Sequence, residues 1–83
     1  MSLPVTEAHV EAEVIRLLSS FFSKACRDLS GHSRLVEDLN VDSMEVVEIV
    51  MLMSDGFNVE LSSDEVTLWR SINDIVKSVI AAQ

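Results

Sequence analysis

Apolar residues recur along the chain at helical spacing in three places, and polar punctuation separates them. Val10, Val14, Leu17, Leu18, Phe21 and Phe22 form the first stripe, which predicts a helix from about Thr6, a reasonable N-cap, to Ser23. Glu11, Glu13, Arg16 and Ser20 occupy its opposite face. Periodicity fades between about Lys24 and Val41, where Asp28, Ser30, Gly31, His32 and Ser33 read as a long surface loop. So long a loop in a small domain needs a function or an anchor, and Leu29, Leu35, Val36 and Leu39 could pin it to the helices. A second helix is predicted to begin at Ser43 and run to about Ser54 or Asp55, with Gly56 ending it. Asn58 to Ser62 is a short connection, and Ser63 opens a short helix containing Val66. Leu68 and Trp69 then add apolar bulk, Trp69 as a core residue whose N–H needs a partner. Ser71 is the expected N-cap of a last helix carrying Ile72, Ile75, Val76, Val79 and Ile80 and ending near Ala82.

The second helix is apolar on more than one side. Val46, Ile49, Val50, Met53 and Phe57 form a stripe suited to the core, while Met44, Val47 and Met51 form another rotated away from it. A small domain buries one face of each helix, so the extra stripe is expected to be exposed and to serve as an interaction surface; the competing expectation is that it packs beneath the long loop.

The length of 83 residues and a hydrophobic content of 48% suit one small domain. Two Gly, one Pro and no Tyr favour helix over sheet. The expected fold is therefore all-α: a small four-helix bundle of three longer helices and one short one, packed antiparallel. Residues 1–5 read as a flexible lead, and residues 6–83 as a single domain. Cys26 cannot form an internal disulfide and has no metal-ligand spacing with His9 or His32; a small apolar filler is the expected role, and a cytoplasmic protein the default. No apolar run approaches the roughly 20 residues needed to span a bilayer.

Charge sharpens this picture. The formal net charge of -8 comes from 14 acidic and 6 basic residues. Between Val36 and Trp69 stand nine acids and no Lys or Arg. A surface of that kind repels nucleic acid and anionic membrane and steers basic protein surfaces toward it.

Within this interval, Asp42 followed by Glu45 is the signature of a capped helix start, which puts Ser43 at the first helical position. A phosphate on that hydroxyl would meet unpaired N–H donors and the positive end of the helix dipole. Asp38, Asn40 and Asp42 alternate as at the start of a calcium loop, but Ser43 stands where the loop needs Gly and Ile49 where it needs the bidentate Glu.

The stretch from Leu35 to Met51, with Val36-Glu37-Asp38-Leu39 before Asp42-Ser43-Met44-Glu45, resembles the modification region of an acyl carrier protein. The resemblance extends from about Val14 to the C-terminus. It implies a four-helix carrier in which Ser43 receives 4'-phosphopantetheine from coenzyme A by the action of a phosphopantetheinyl transferase. Acyl intermediates would then be held as thioesters and delivered to fatty-acid or polyketide-type enzymes, and the carrier would not itself be an enzyme. Asp42 would cap the helix and help dock the transferase; Met44, Glu45, Val47, Glu48 and Met51 would meet acyl-transfer and synthase enzymes through their basic surfaces. A monomer is expected. Ser54-Asp55-Gly56 stands where housekeeping carriers often have a run of acids, Asn40 where Gly is frequent, and Leu52 where a small residue is common; with the Phe21-Phe22 pair, these departures point to a specialised pathway. Asp-Ser-Met and Trp69-Arg70-Ser71-Ile72 also resemble D-alanyl and other aminoacyl carriers, the nearest alternative. A helical interaction module without a prosthetic group is a further one. An independent enzyme has no visible base to pair with Ser43.

Overall fold

A computed structural model describes residues 7–83; the expected lead at 1–5 and the Thr6 cap lie outside the described residues, as does the side chain of Cys26. Four α-helices follow one another: α1 (Glu7–Phe22), α2 (Ser43–Phe57), α3 (Ser63–Val66) and α4 (Ile72–Ala82). The fold is all-helical, as the hydrophobic spacing predicts.

Each long helix buries most of the stripe that its sequence announces; Ile80, expected in the stripe of the last helix, lies at its edge and is exposed. Val10, Val14 and Leu18 of α1, Ile49 and Met53 of α2, and Ile72, Ile75, Val76 and Val79 of α4 form the centre of one core. Leu17, Phe21, Phe22, Val46, Val50 and Phe57 pack half-buried around it. The two Phe rings meet edge to face with centroids 4.9 Å apart. α1 packs chiefly on α4 and less extensively on α2. Trp69 is buried, and its indole Nε1–H donates to Ser78 Oγ at 2.8 Å, which satisfies the polar atom that an interior Trp carries.

The end of α2 differs from expectation. The helix passes through Gly56 and stops at Phe57; Asn58 takes the left-handed conformation (φ 54°), and the Asn58 and Val59 N–H groups both donate to Ser54 O. Asn tolerates this backbone because its short polar side chain can support it locally. Gly56 has another use: a Cβ there would stand 2.9 Å from Leu17 Cδ1, so the missing side chain lets α1 approach α2 closely.

The segment between α1 and α2 is more ordered than a surface loop. A 3-10 turn spans Cys26–Asp28, and Leu29, Leu35, Leu39 and Val41 are buried. Val36, expected to help pin the segment, points outward, because Leu35 and Leu39 share the inner face of a single turn and their neighbour cannot. That turn closes with Val41 N–H donating to Leu35 O, and Asn40 supplies the left-handed residue (φ 55°) that favours Gly. The anchor lies at the start of α4: Ile72 N–H donates to Ser33 O, Asn73 N–H to Gly31 O, and Leu35 N–H to Arg70 O. Two first-turn donors of α4 are satisfied in this way, and Asp74 Oδ2 caps in the other direction by accepting from the Arg70 and Ser71 N–H groups. Leu68, expected as apolar bulk beside Trp69, is exposed, since the chain turns there and buries only the Trp.

Candidate functional site

Asp42 and Glu45 build the start of α2 as their spacing requires. Glu45 N–H donates to Asp42 Oδ1 at 2.8 Å, and Asp42 N–H donates to Glu45 Oε1 at 3.2 Å, a reciprocal capping box. Val46 N–H donates to Asp42 O and opens the regular ladder. The Ser43 and Met44 N–H groups have no acceptor among the described residues. Ser43 is the first residue of the helix and is exposed, and its hydroxyl joins none of the hydrogen bonds among the described residues. An accessible oxygen therefore stands beside two free donors and the positive end of a 15-residue helix, which suits a covalently attached phosphate.

Along the helix from Ser43, the second apolar stripe faces solvent. Met44 is 76% exposed, Val47 60% and Met51 67%, which excludes packing beneath the long loop. Glu48 is exposed between them and Glu45 is half-exposed, held by its capping bond. The helix thus presents unpaired apolar area laced with carboxylates and no basic residue, a face that complements a basic surface with an apolar centre. Six of the seven singled-out residues, Asp42, Ser43, Met44, Glu45, Val47 and Glu48, lie within the first two turns or at their cap, and Met51 continues the same face one turn further.

Val36 and Leu68 are exposed apolar side chains that sequence reasoning assigned to the interior. The i, i+4 spacing of Leu35 and Leu39 was the available signal for Val36; nothing local marks Leu68. His32 is exposed, as a loop residue is expected to be. Among the described residues no group of acidic, His and Cys side chains is arranged to hold a metal, and no helix is long and apolar enough to cross a membrane.

A family profile described as "Phosphopantetheine attachment site" matches residues 12–79, which contain the whole of α2 and its cap. The acyl carrier protein of Buchnera aphidicola subsp. Baizongia pistaciae is 31% identical, over 87% of this chain and 96% of its own. That of Rickettsia bellii is 32% identical, over 86% of this chain and 83% of its own, and that of Rickettsia prowazekii 27%, over 89% and 86%. The prosthetic group of such proteins is a covalently attached 4'-phosphopantetheine, and the exposed hydroxyl and free N–H donors at the start of α2 fit its phosphate. In sequence over most of its length and in its all-helical fold, the chain belongs to the phosphopantetheine-binding acyl carrier protein family.

Proposed function

We propose that Ser43 Oγ is the attachment point of the prosthetic group and that the exposed face of α2 is where partner enzymes dock. One observation carries this reading: an exposed Ser hydroxyl stands at the first position of a capped helix whose next two turns expose Met44, Val47, Glu48 and Met51. When attached, 4'-phosphopantetheine supplies the terminal thiol that bears an acyl group as a thioester. This chain supplies position and recognition. Ser43 Oγ would form the phosphodiester bond to the pantetheine-bearing phosphate of coenzyme A as the pyrophosphate linkage of the coenzyme breaks; adenosine 3',5'-bisphosphate leaves with the bonding electrons, and the hydroxyl gives up its proton. The neighbouring carboxylates of Asp42 and Glu45 are held on backbone N–H groups of the cap, so the base that takes the proton is expected from the phosphopantetheinyl transferase. The Ser43 and Met44 N–H groups then hold the phosphate against the helix start.

In this reading residues 6–83 are a single carrier domain preceded by a short lead, working as a monomer in the cytoplasm and catalysing no reaction itself. Its partners are acyl-transfer and synthase enzymes of fatty-acid or polyketide type with basic docking surfaces. Ser54-Asp55-Gly56 leaves the far end of α2 less acidic than in housekeeping carriers and supports a specialised pathway. The similarity to proteins named acyl carrier protein favours acyl over aminoacyl cargo.

Intact-mass measurement after incubation with coenzyme A and a phosphopantetheinyl transferase tests the attachment. A single phosphopantetheine adduct is expected, and none on Ser43→Ala. An adduct that survives the substitution would move the site elsewhere. Competing an acyl-transfer enzyme against an aminoacyl-adenylating enzyme for the free thiol of the attached arm separates the two kinds of cargo.

A further inference from the structure

Six large apolar side chains stand exposed among the described residues, and two of them, Met44 and Met51, are methionines. Both lie on the outer face of α2, and their spacing returns them to nearly the same side of the helix. Val47 fills the turn between them, and the exposed carboxylate of Glu48 borders them. Met53 follows Met51 by only two residues, but that step turns about 200° round the helix and puts its thioether in the core, with no exposed surface. One helix therefore carries two open thioethers and one closed one.

The distinction is chemical as well as geometric. A mild two-electron oxidant converts a thioether, an apolar group, into a polar sulfoxide. The aliphatic members of the exposed set, Val36, Val47, Leu68 and Ile80, are inert to it. Charge narrows the choice of oxidant: from Val36 to Trp69 stand nine acids and no Lys or Arg, so an anionic oxidant is repelled from this face and a neutral hydroperoxide is not.

We propose that Met44 and Met51 form a paired site of oxidation by hydroperoxides, and that adding oxygen there closes the docking face of α2. At each residue the sulfur lone pair attacks the terminal peroxide oxygen. The S–O bond forms as the O–O bond breaks, the sulfur is oxidised by two electrons, and the departing oxygen takes the proton of the attacked one and leaves as water or an alcohol. Two sulfoxides then give the apolar centre of the face strong dipoles that must be desolvated whenever a partner covers it, while the buried Met53 keeps the helix packed. The change is reversible, because methionine sulfoxide reductases restore the thioether with electrons from a dithiol. The effect on docking rests on the carrier reading of α2; the selectivity of oxidation does not.

The unmodified chain is treated with hydrogen peroxide, freed of it, and mapped by peptide mass. Met44 and Met51 are expected to gain one oxygen each at least about tenfold faster than Met53, with the urea midpoint unchanged. The doubly oxidised chain should then be modified by a phosphopantetheinyl transferase about tenfold more slowly at subsaturating carrier, and regain its rate after treatment with both epimer-specific sulfoxide reductases and dithiothreitol. Met44→Leu with Met51→Leu, compared with itself before and after peroxide, should show no slowing, although Cys26 remains oxidisable. Oxidation of Met44, Met51 and Met53 alike, an undiminished rate in the oxidised chain, slowing that tracks a loss of stability, or equal slowing in the double variant would each overturn the proposal. An untreated chain that gains no adduct would overturn the carrier reading and with it the docking half, leaving the oxidation site to stand or fall on the mass map.

Discussion

Replacing Asp42 separates the hydrogen bond of the cap from the charge that stands on it. Oδ1 accepts from the Glu45 N–H at 2.8 Å in a solvent-exposed position. Asp42→Ala removes that bond and hands the donor to water, which costs about 1 kcal/mol at a helix N-cap. It also removes a negative charge from the positive end of α2, about 0.5 kcal/mol at low ionic strength. Asp42→Asn keeps an acceptor in place and drops only the charge, so its expected cost is about 0.5 kcal/mol in low salt and near zero where salt screens the dipole. Urea unfolding of both variants at two salt concentrations measures this, provided the slope with denaturant is unchanged. A gap of about 1 kcal/mol between Ala and Asn should persist at both salts; in a domain of this size that is roughly 4–8 °C in Tm. Equal destabilisation by the two in high salt would refute the capping bond as the stabilising element. The same pair then reads out docking: if the transferase recognises the charge, both variants slow modification of Ser43, and if it needs only an ordered helix start, Asn alone keeps the rate.

Three further outcomes are expected. Ser78→Ala strands the Trp69 Nε1–H in the interior and should cost about 2 kcal/mol in urea unfolding; a loss near zero would show that the 2.8 Å bond is replaced by water. Gly56→Ala sets a helix-propensity gain of about 1 kcal/mol against the displacement of Leu17 Cδ1, which its Cβ would meet at 2.9 Å, so the expected net change in urea unfolding is near zero; a clear gain would show that Leu17 moves aside freely, and a clear loss that it is locked between α1 and α2. Reversing Glu45 and Glu48 to Lys should lower the association rate with the transferase about tenfold at low salt and flatten its salt dependence, measured by stopped-flow; unchanged rates would leave Glu48 as solvated surface and Glu45 with its capping bond alone.

What could be read without coordinates followed from local rules. Stripes at 3.6 spacing located α1 and α4, and the Asp42-to-Glu45 spacing marked the start of α2 to the residue, since a capping box is an interaction within four residues of chain. The exposed Met44, Val47 and Met51 face followed from counting: α2 has more apolar sides than one small core can cover. The misses were tertiary. Gly56 looked like a terminator, yet its bareness serves contact with Leu17 from a helix far away in sequence. Val36 looked like an anchor, yet its neighbours Leu35 and Leu39 took the inner face. The convergence of Arg34 on Arg70 is invisible along the chain, because only the bridge between the long segment and α4 creates it.

That bridge also governs how the molecule breathes. The amides of Leu35, Ile72 and Asn73 all depend on the same seam, so unzipping α4 at its start frees the segment leading to Asn40 and Ser43, and loosening that segment strips two first-turn partners from α4. Hydrogen exchange at these three amides should therefore follow one opening event of common free energy, with Ser43 riding on the edge of that cooperative unit. A partner that grips α2 should therefore slow hydrogen exchange at Ile72 and Asn73, and unchanged exchange there in the complex would show that the seam opens independently of α2.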